Sequence, residues 1–219
     1  IARDEAFGFY YPDDLEALEA AGATLLPIDM LRDTRLPELD GLFIGGGFPE
    51  AFLPQLEANA TLRAALRTAI AQGLPTYAEC GGLMLLARSI RWKDRVAPMV
   101  GAIPADVVMR ERPVGRGYVR LAQTADHPWP MPTGECLGHE FHHSELVNAD
   151  PGLRYAYAVH RGHGIDGRRD GVIVVEGLKG GTDMLGVITE TDKTLKLKAQ
   201  PDTPIGHKAA LRPLQTGDT

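Results

Sequence analysis

Apolar residues at helical spacing open the regular structure of the chain. In "DDLEALEAAGATLLPIDM", Leu15, Leu18 and Ala21 fall on one face, Gly22 closes the helix, and the apolar run at 24–28 predicts a strand. "LDGLFIGGGFPEAF" predicts a buried strand at 41–44 that ends in three glycines and opens a helical segment after Pro49. A second helix, "NATLRAALRTAIAQG", takes Asn59 or Thr61 as its cap and stops at Gly73. The strand at 75–78 leads into Cys80, and a further helix begins near Leu83. Strand and helix alternate over short connections through about residue 90. That rhythm predicts a mostly parallel, doubly wound sheet flanked by helices over residues 2–165. Ligands of such sheets gather at the carboxyl ends of the strands. Both glycine clusters fall there, so the turn at 45–47 and Cys80 are expected at the same end of neighbouring strands.

From residue 171 the pattern changes. β-branched strands at 172–175, 186–189 and 194–197 are separated by glycine and Asp-Lys turns, with no helical period between them.

A chain of 219 residues can bury one substantial core with a small appendage. The net charge of −6, with basic residues scattered rather than clustered, argues against a nucleic-acid surface and favours small-metabolite chemistry. No apolar run is long enough for a membrane helix and no leader pattern is present, so the expectation is a cytoplasmic protein with no membrane partner. The two cysteines, Cys80 and Cys136, stand in different contexts and are expected as reduced thiols. A start at Ile1 reads as a fragment or a trimmed chain.

Cys80 carries the chemistry in "TYAECGGLMLL". A residue after a buried strand and before a helix sits on a sharp turn with its side chain held over the sheet edge, the geometry of a nucleophile elbow. Gly81 and Gly82 allow that turn, and the following helix would point its positive end at the sulfur and favour thiolate. The amides after Cys80, at Gly81 and Gly82, with one from the loop holding Gly46 and Gly47, could hold an oxyanion as a carbonyl becomes tetrahedral. The competing account is a small buried thiol packed behind a turn. Strand, elbow and glycine loop together favour the nucleophile. Glu79 is placed to orient the elbow through backbone contacts.

The histidines lie elsewhere. In "GHEFHHSEL" strand alternation puts His142 and Glu140 on one face and His139 and His143 on the other. His160 and His163 lie in "VHRGHGIDGRRDG", a glycine-rich turn expected to be solvent-exposed. The spacing of this His-rich run matches no standard zinc set, and no metal site is assigned. "RERPVGRGYVR" carries four arginines over a glycine turn, either a solvated loop or a surface that meets acidic carboxylates. "FGFYYPDD" reads as a packed strand end and helix start rather than an aromatic ligand box.

"ARDEAFGFYYPDDLEALEAAGA", "LDGLFIGGGFPE", "TYAECGGLMLL", "PMVGAIPADVVM" and "GHEFHHSEL" resemble the glutaminase half of cobyrinic acid a,c-diamide synthases, over residues 2–171 and in order. The resemblance implies an α/β fold, a flavodoxin-like class I glutamine amidotransferase domain. It implies that Cys80 attacks the side-chain amide of glutamine, forms a thioester and releases ammonia. In the family that ammonia aminates the a and c carboxylates of cobyrinate, or of a related tetrapyrrole acceptor, each activated by ATP and Mg in a separate N-terminal domain; a homodimer is also compatible with it. The chain has no G-x-x-x-x-G-K-[ST] phosphate cradle, so no cofactor is expected in the chain itself.

The family pairs its cysteine with a histidine late in the chain, and the corresponding stretch here, "LKGGTDML", contains none. From residue 171, "GVIVVEGLKGGTDMLGVITETDKTLKLKAQPDTPIGHKAALRPLQTGDT" resembles instead the SAF-like domain of altronate dehydratases and sulfolactate sulfo-lyases, to which His207 would belong. The expected organisation is therefore an amidotransferase-like domain over 1–170 and a partial, short β-rich C-terminal SAF-like segment over 171–219, with a junction at 170–172. A natural or engineered chimera, or an error in joining two sequences, would produce it. Two further readings stay open: a chimera impaired in catalysis, and the small subunit of a hydro-lyase or sulfo-lyase. His142 is the histidine available as a replacement base, although in the family its motif looks structural or acceptor-facing.

Overall fold

The computed structural model describes residues 1–128 and 135–174, and beyond them the backbone of three short strands. The first residues run extended between two neighbours: the Ala2 amide donates to Phe43 O at 3.0 Å, and Ile28 N–H to Ile1 O at 2.9 Å. The strand expected at 24–28 is reduced to an isolated parallel bridge between Ala2 and Ile28. Pro27 has no N–H to give a ladder, and Leu26 is exposed, so only Ile28 is buried there.

In chain order, β1 (Phe7–Phe9) precedes α1 (Pro12–Ala20), and β2 (Leu42–Ile44) runs into the two-residue β3 (Gly46–Gly47), which pairs antiparallel with β1. A 3-10 turn (Pro49–Phe52) leads to α2 (Leu53–Ala58) and α3 (Ala60–Ala71). Asn59 caps α3, its side chain accepting from the Leu62 amide at 3.4 Å. Leu62, Leu66 and Ile70 form one buried stripe on α3 at four-residue spacing. Each contributes about 1.5–3 kcal/mol by leaving water, and Leu66→Ala would cost about 2–5 kcal/mol.

Then come β4 (Thr76–Glu79), α4 (Gly81–Leu86), β5 (Ser89–Trp92), β6 (Arg95–Pro98), β7 (Asp106–Met109), β8 (Gly115–Gln123), β9 (Glu135–His142), β10 (Ser144–Val147), β11 (Arg154–Arg161) and β12 (Arg169–Ile173). The short strands β13 (Val187–Thr189), β14 (Lys196–Leu197) and β15 (Leu211–Arg212) follow. β12, β13 and β14 overlap the strands expected at 172–175, 186–189 and 194–197, whereas β15 corresponds to none of them. α4 is apolar all round and buried at every position, as a helix enclosed between sheets must be.

The main sheet has seven strands in the order β2-β4-β13-β12-β11-β8-β9. β2, β4 and β13 are parallel, with Ile44 opposite Ala78 and Ala78 opposite Ile188. From β13 onward every pairing is antiparallel. The expectation of a mostly parallel sheet over 2–165 therefore holds only for the strands that frame Cys80. Parallel neighbours need a long crossover, usually a helix, whereas antiparallel ones close through short turns; after α4 no further helix occurs among the described residues. A second, four-stranded sheet has the order β10-β7-β5-β6. The arginine-rich segment is strand rather than loop from Gly115 onward, because Val119 and Leu121 alternate into a small core with Cys136, Ala156, Tyr157 and Ile173. β12 passes through 170–172 without a break: Tyr157 pairs with Asp170 and Tyr155 with Val172.

Candidate active site

The site is assembled at the carboxyl ends of β2 and β4, which are neighbours. Cys80 follows β4 directly and precedes the first residue of α4, with φ 49° and ψ −111°. A positive φ is unfavourable for a residue with a Cβ and persists where surrounding packing dictates it. The packing is visible in the glycines. A Cβ at Gly82 would lie 2.3 Å from Ile44 O, and one at Gly81 would lie 3.0 Å from Gly47 N, Gly47 O and Pro49 Cδ. A Cβ at Gly47 would lie 1.9 Å from Ala6 O. Only glycine lets the elbow, the Gly46–Gly47 loop and the turn before β1 approach this closely. Gly46 faces the cysteine: a Cβ there would be 3.7 Å from Cys80 Cβ. The structure thus brings Cys80, Gly46, Gly47, Gly81 and Gly82 together, at the same end of adjacent strands.

Polar groups brace this corner. Tyr10 hydroxyl accepts from the Gly45 amide at 3.1 Å and donates to the Ala2 carbonyl. Burial pushes that hydroxyl well above its ordinary pKa, so it stays a donor. Asp4 Oδ1 accepts from the amides of Ala6 and Phe7, at 2.7 and 3.0 Å, and so shapes the turn that meets Gly47. "FGFYYPDD" is therefore a packed strand end and helix start, although Phe9 and Phe48 form an exposed edge-to-face pair beside the loop, centroids 5.2 Å apart. Glu79 is buried and accepts from Tyr77 hydroxyl at 3.1 Å, a side-chain partner the sequence did not supply.

Glu50, in the 3-10 turn just beyond the glycine loop, escaped the sequence reading. Its Oε2 is buried without a hydrogen-bond partner. Burial raises its pKa above the ordinary value, opposed by its own backbone amide and by the nearby His143. The signal that could have found it is Pro49, a residue that starts helices and so places Glu50 in a first turn.

His142 lies on β9, at the opposite edge of the main sheet from β2. As alternation predicts, it and Glu140 face inward together and His139 faces solvent. His142 Nδ1 is 3.0 Å from Ser144 O, and its Nε2 is 3.7 Å from Glu140 Oε2. Glu140 also accepts from the amides of His163 and Gly164, both at 2.8 Å. His160 stands at the end of β11, not in a turn, and lies 2.7 Å from Glu135. Two of the four arginines of β8 and its approach have acidic partners: Arg110 pairs with Glu145 and Arg120 with Glu135. Among the described residues no group of three or more His, Cys, Asp or Glu could hold a metal ion, and no helix is long and apolar enough to cross a membrane. "LKGGTDML" and His207 lie outside the described residues.

A cysteine on a strained elbow after a central parallel strand, facing a glycine loop on the neighbouring strand, is the arrangement of the class I glutamine amidotransferases, and this chain has their fold. PurLQS from Thermotoga maritima superposes with a TM-score of 0.60 at 13% identity, over 91% of this chain and 88% of that one. A glutamine amidotransferase from Methylobacillus flagellatus gives 0.55 at 19% identity, over 82% and 64%. Within that class the chain belongs to the family of CobB/CobQ-like glutamine amidotransferase domains, which matches residues 1–192. It is 44% identical over 172 residues to the cobyrinate a,c-diamide synthase of Magnetococcus marinus, covering 78% of this chain and 37% of that protein. The synthase of the same name from Methanosarcina acetivorans is 40% identical over 200 residues, covering 80% and 37%. The chain thus spans little more than a third of the length of these relatives.

Proposed function

We propose that this chain is the glutaminase part of a cobyrinate a,c-diamide synthase-like enzyme, with Cys80 as its nucleophile. The observation that carries the reading is the elbow: Cys80 at φ 49°, with the loop of Gly46 and Gly47 packed against Gly81. The sulfur adds as thiolate to the side-chain carbonyl carbon of glutamine. The carbonyl oxygen takes the negative charge, and amides of Gly81 or Gly82 with one from Gly46 or Gly47 stabilise it. Collapse breaks the C–N bond, the nitrogen takes up a proton and leaves as ammonia, and a thioester remains. Water then releases glutamate and regenerates the thiol. The ammonia serves a partner synthetase domain, where ATP and Mg would activate the carboxylates of a tetrapyrrole acceptor such as cobyrinate.

Protonating the leaving nitrogen and activating water need a positioned acid or base, commonly a factor of about a hundred to ten thousand in rate. "LKGGTDML", which falls within the family match, offers no histidine for that role, so the tail, read here as a partial SAF-like graft, leaves turnover disabled. The chain is therefore expected to form the covalent adduct with a glutamine-like electrophile yet to hydrolyse glutamine very slowly. The test is ammonia release from glutamine by the purified chain, beside a version whose tail after residue 171 is replaced by a family tail bearing its histidine. Restored release in the exchanged protein is the expected result. Robust Cys80-dependent release from the chain as it stands would assign the base to another histidine, His142 first, and overturn the view of the tail as disabling.

A further inference from the structure

Resting on the reading of Cys80 as a glutaminase nucleophile, we infer that the carboxylate of Glu50 is the recognition point for the α-ammonium group of glutamine, so that the site selects amides that carry an α-amine. Glu50 follows the glycine loop within three residues, and the turn it belongs to packs against α4, with Pro49 against Gly81. Its Oε2 is buried with no hydrogen-bond donor, and among the described residues it makes no ion pair. Buried carboxylate oxygens are almost always satisfied, because leaving one unmade costs a full desolvation penalty. A buried carboxylate oxygen without a protein donor, in the turn that packs on the elbow helix, is chemically suited to a cationic donor. Glutamine brings three polar handles to such a site: the side-chain amide, the α-carboxylate and the α-ammonium. Only the ammonium is cationic and rich in donors. Burial raises the pKa of Glu50, and its own backbone amide and His143, at the turn between β9 and β10, act against that rise, as an ammonium seated on the carboxylate would.

The test measures the rate of Cys80 alkylation by mass spectrometry with three probes on the full chain. One is the diazoketone analogue of L-glutamine, the second is the same diazoketone without the α-amine, and the third is iodoacetamide, with buried Cys136 as internal reference. The wild-type chain is expected to react at least tenfold faster with the first probe than with the second. Glu50→Gln keeps the shape and removes the charge; it is expected to abolish that preference while leaving the iodoacetamide rate within twofold and the Tm unchanged or higher. Glu50→Asp, which retains the charge on a shorter arm, is expected to keep part of the preference. A tenfold preference that survives Glu50→Gln overturns the inference and leaves the nucleophile standing. So does a Glu50→Gln chain with a lowered Tm and a slowed iodoacetamide reaction, since that marks a structural carboxylate. If iodoacetamide labels Cys80 but neither diazoketone does, the glutaminase reading itself fails, and the role of Glu50 with it.

Discussion

Gly82 is seated so closely on Ile44 that a Cβ on it would lie 2.3 Å from the Ile44 carbonyl oxygen. Ile44 is the last residue of β2, and Gly82 is the second residue of α4, so this one contact fixes how far the elbow helix can approach the strand that carries the glycine loop. The same close approach keeps Gly81 against Gly47. The geometry of the elbow is a consequence of backbone touching backbone, which a side chain at Gly82 would prevent.

Gly82→Ala is accordingly expected to destabilise the chain by about 1–3 kcal/mol or more through overpacking, because the obstructing atom is backbone. Gly8→Ala is the control: a Cβ there would meet Asp4 O at an ordinary 3.6 Å. Thermal unfolding of both variants should show a lowered Tm for Gly82→Ala only. Equal Tm values would mean that α4 can lift from β2 at little cost, and the rigid seating of the elbow would be wrong.

The elbow was legible because its signals are local: an apolar strand, a cysteine, two glycines and an apolar helix lie within a few residues of one another. The three-glycine turn was legible for the same reason, and strand alternation alone put Glu140 and His142 on one inward face. What escaped depends on partners distant in sequence. The antiparallel half of the main sheet is set by pairings such as Tyr157 with Gln123, which no local pattern encodes. Glu50 became conspicuous only when folding buried its Oε2 and supplied no donor. The apolar run at 24–28 misled because its composition suits a strand while Pro27 and its position at the sheet margin leave only Ile28 paired.

Acid sensitivity should centre on Glu140. Burial alone would raise its pKa, but the adjacent His142 and the hydrogen bonds from the Gly164 and His163 amides outweigh it and hold the carboxyl below its ordinary value of 4.5. A carboxyl with a lower pKa folded than unfolded adds stability that is fully present above the unfolded value and is lost as pH falls through the folded one. At neutral pH, Glu140→Gln is expected to be less stable by about 1.5–3 kcal/mol, the range for hydrogen bonds to a charged group. The gap between wild type and variant should then narrow as pH drops below 4.5. Melting curves at a series of pH values from neutral to acid provide the measurement. A gap that stays constant would show that the carboxylate charge contributes nothing and that Glu140 acts by shape alone.

The last prediction concerns strain at Cys80. Its φ of 49° lies in the region that disfavours a Cβ, at a cost of order 1–3 kcal/mol. In an ordinary helix or strand, replacing alanine by glycine loses about 0.5–1 kcal/mol. At this position the order should invert, because glycine adopts the elbow without strain and alanine does not. Cys80→Gly is therefore expected to be more stable than Cys80→Ala, by about 1 kcal/mol. Both variants lack the thiol and should be equally inert toward a glutamine-like electrophile, so activity cannot account for the difference. Chemical denaturation of the pair decides it. If Cys80→Ala proves the more stable, the cysteine is not held in a strained turn, and the elbow that supports its assignment as nucleophile loses its physical basis.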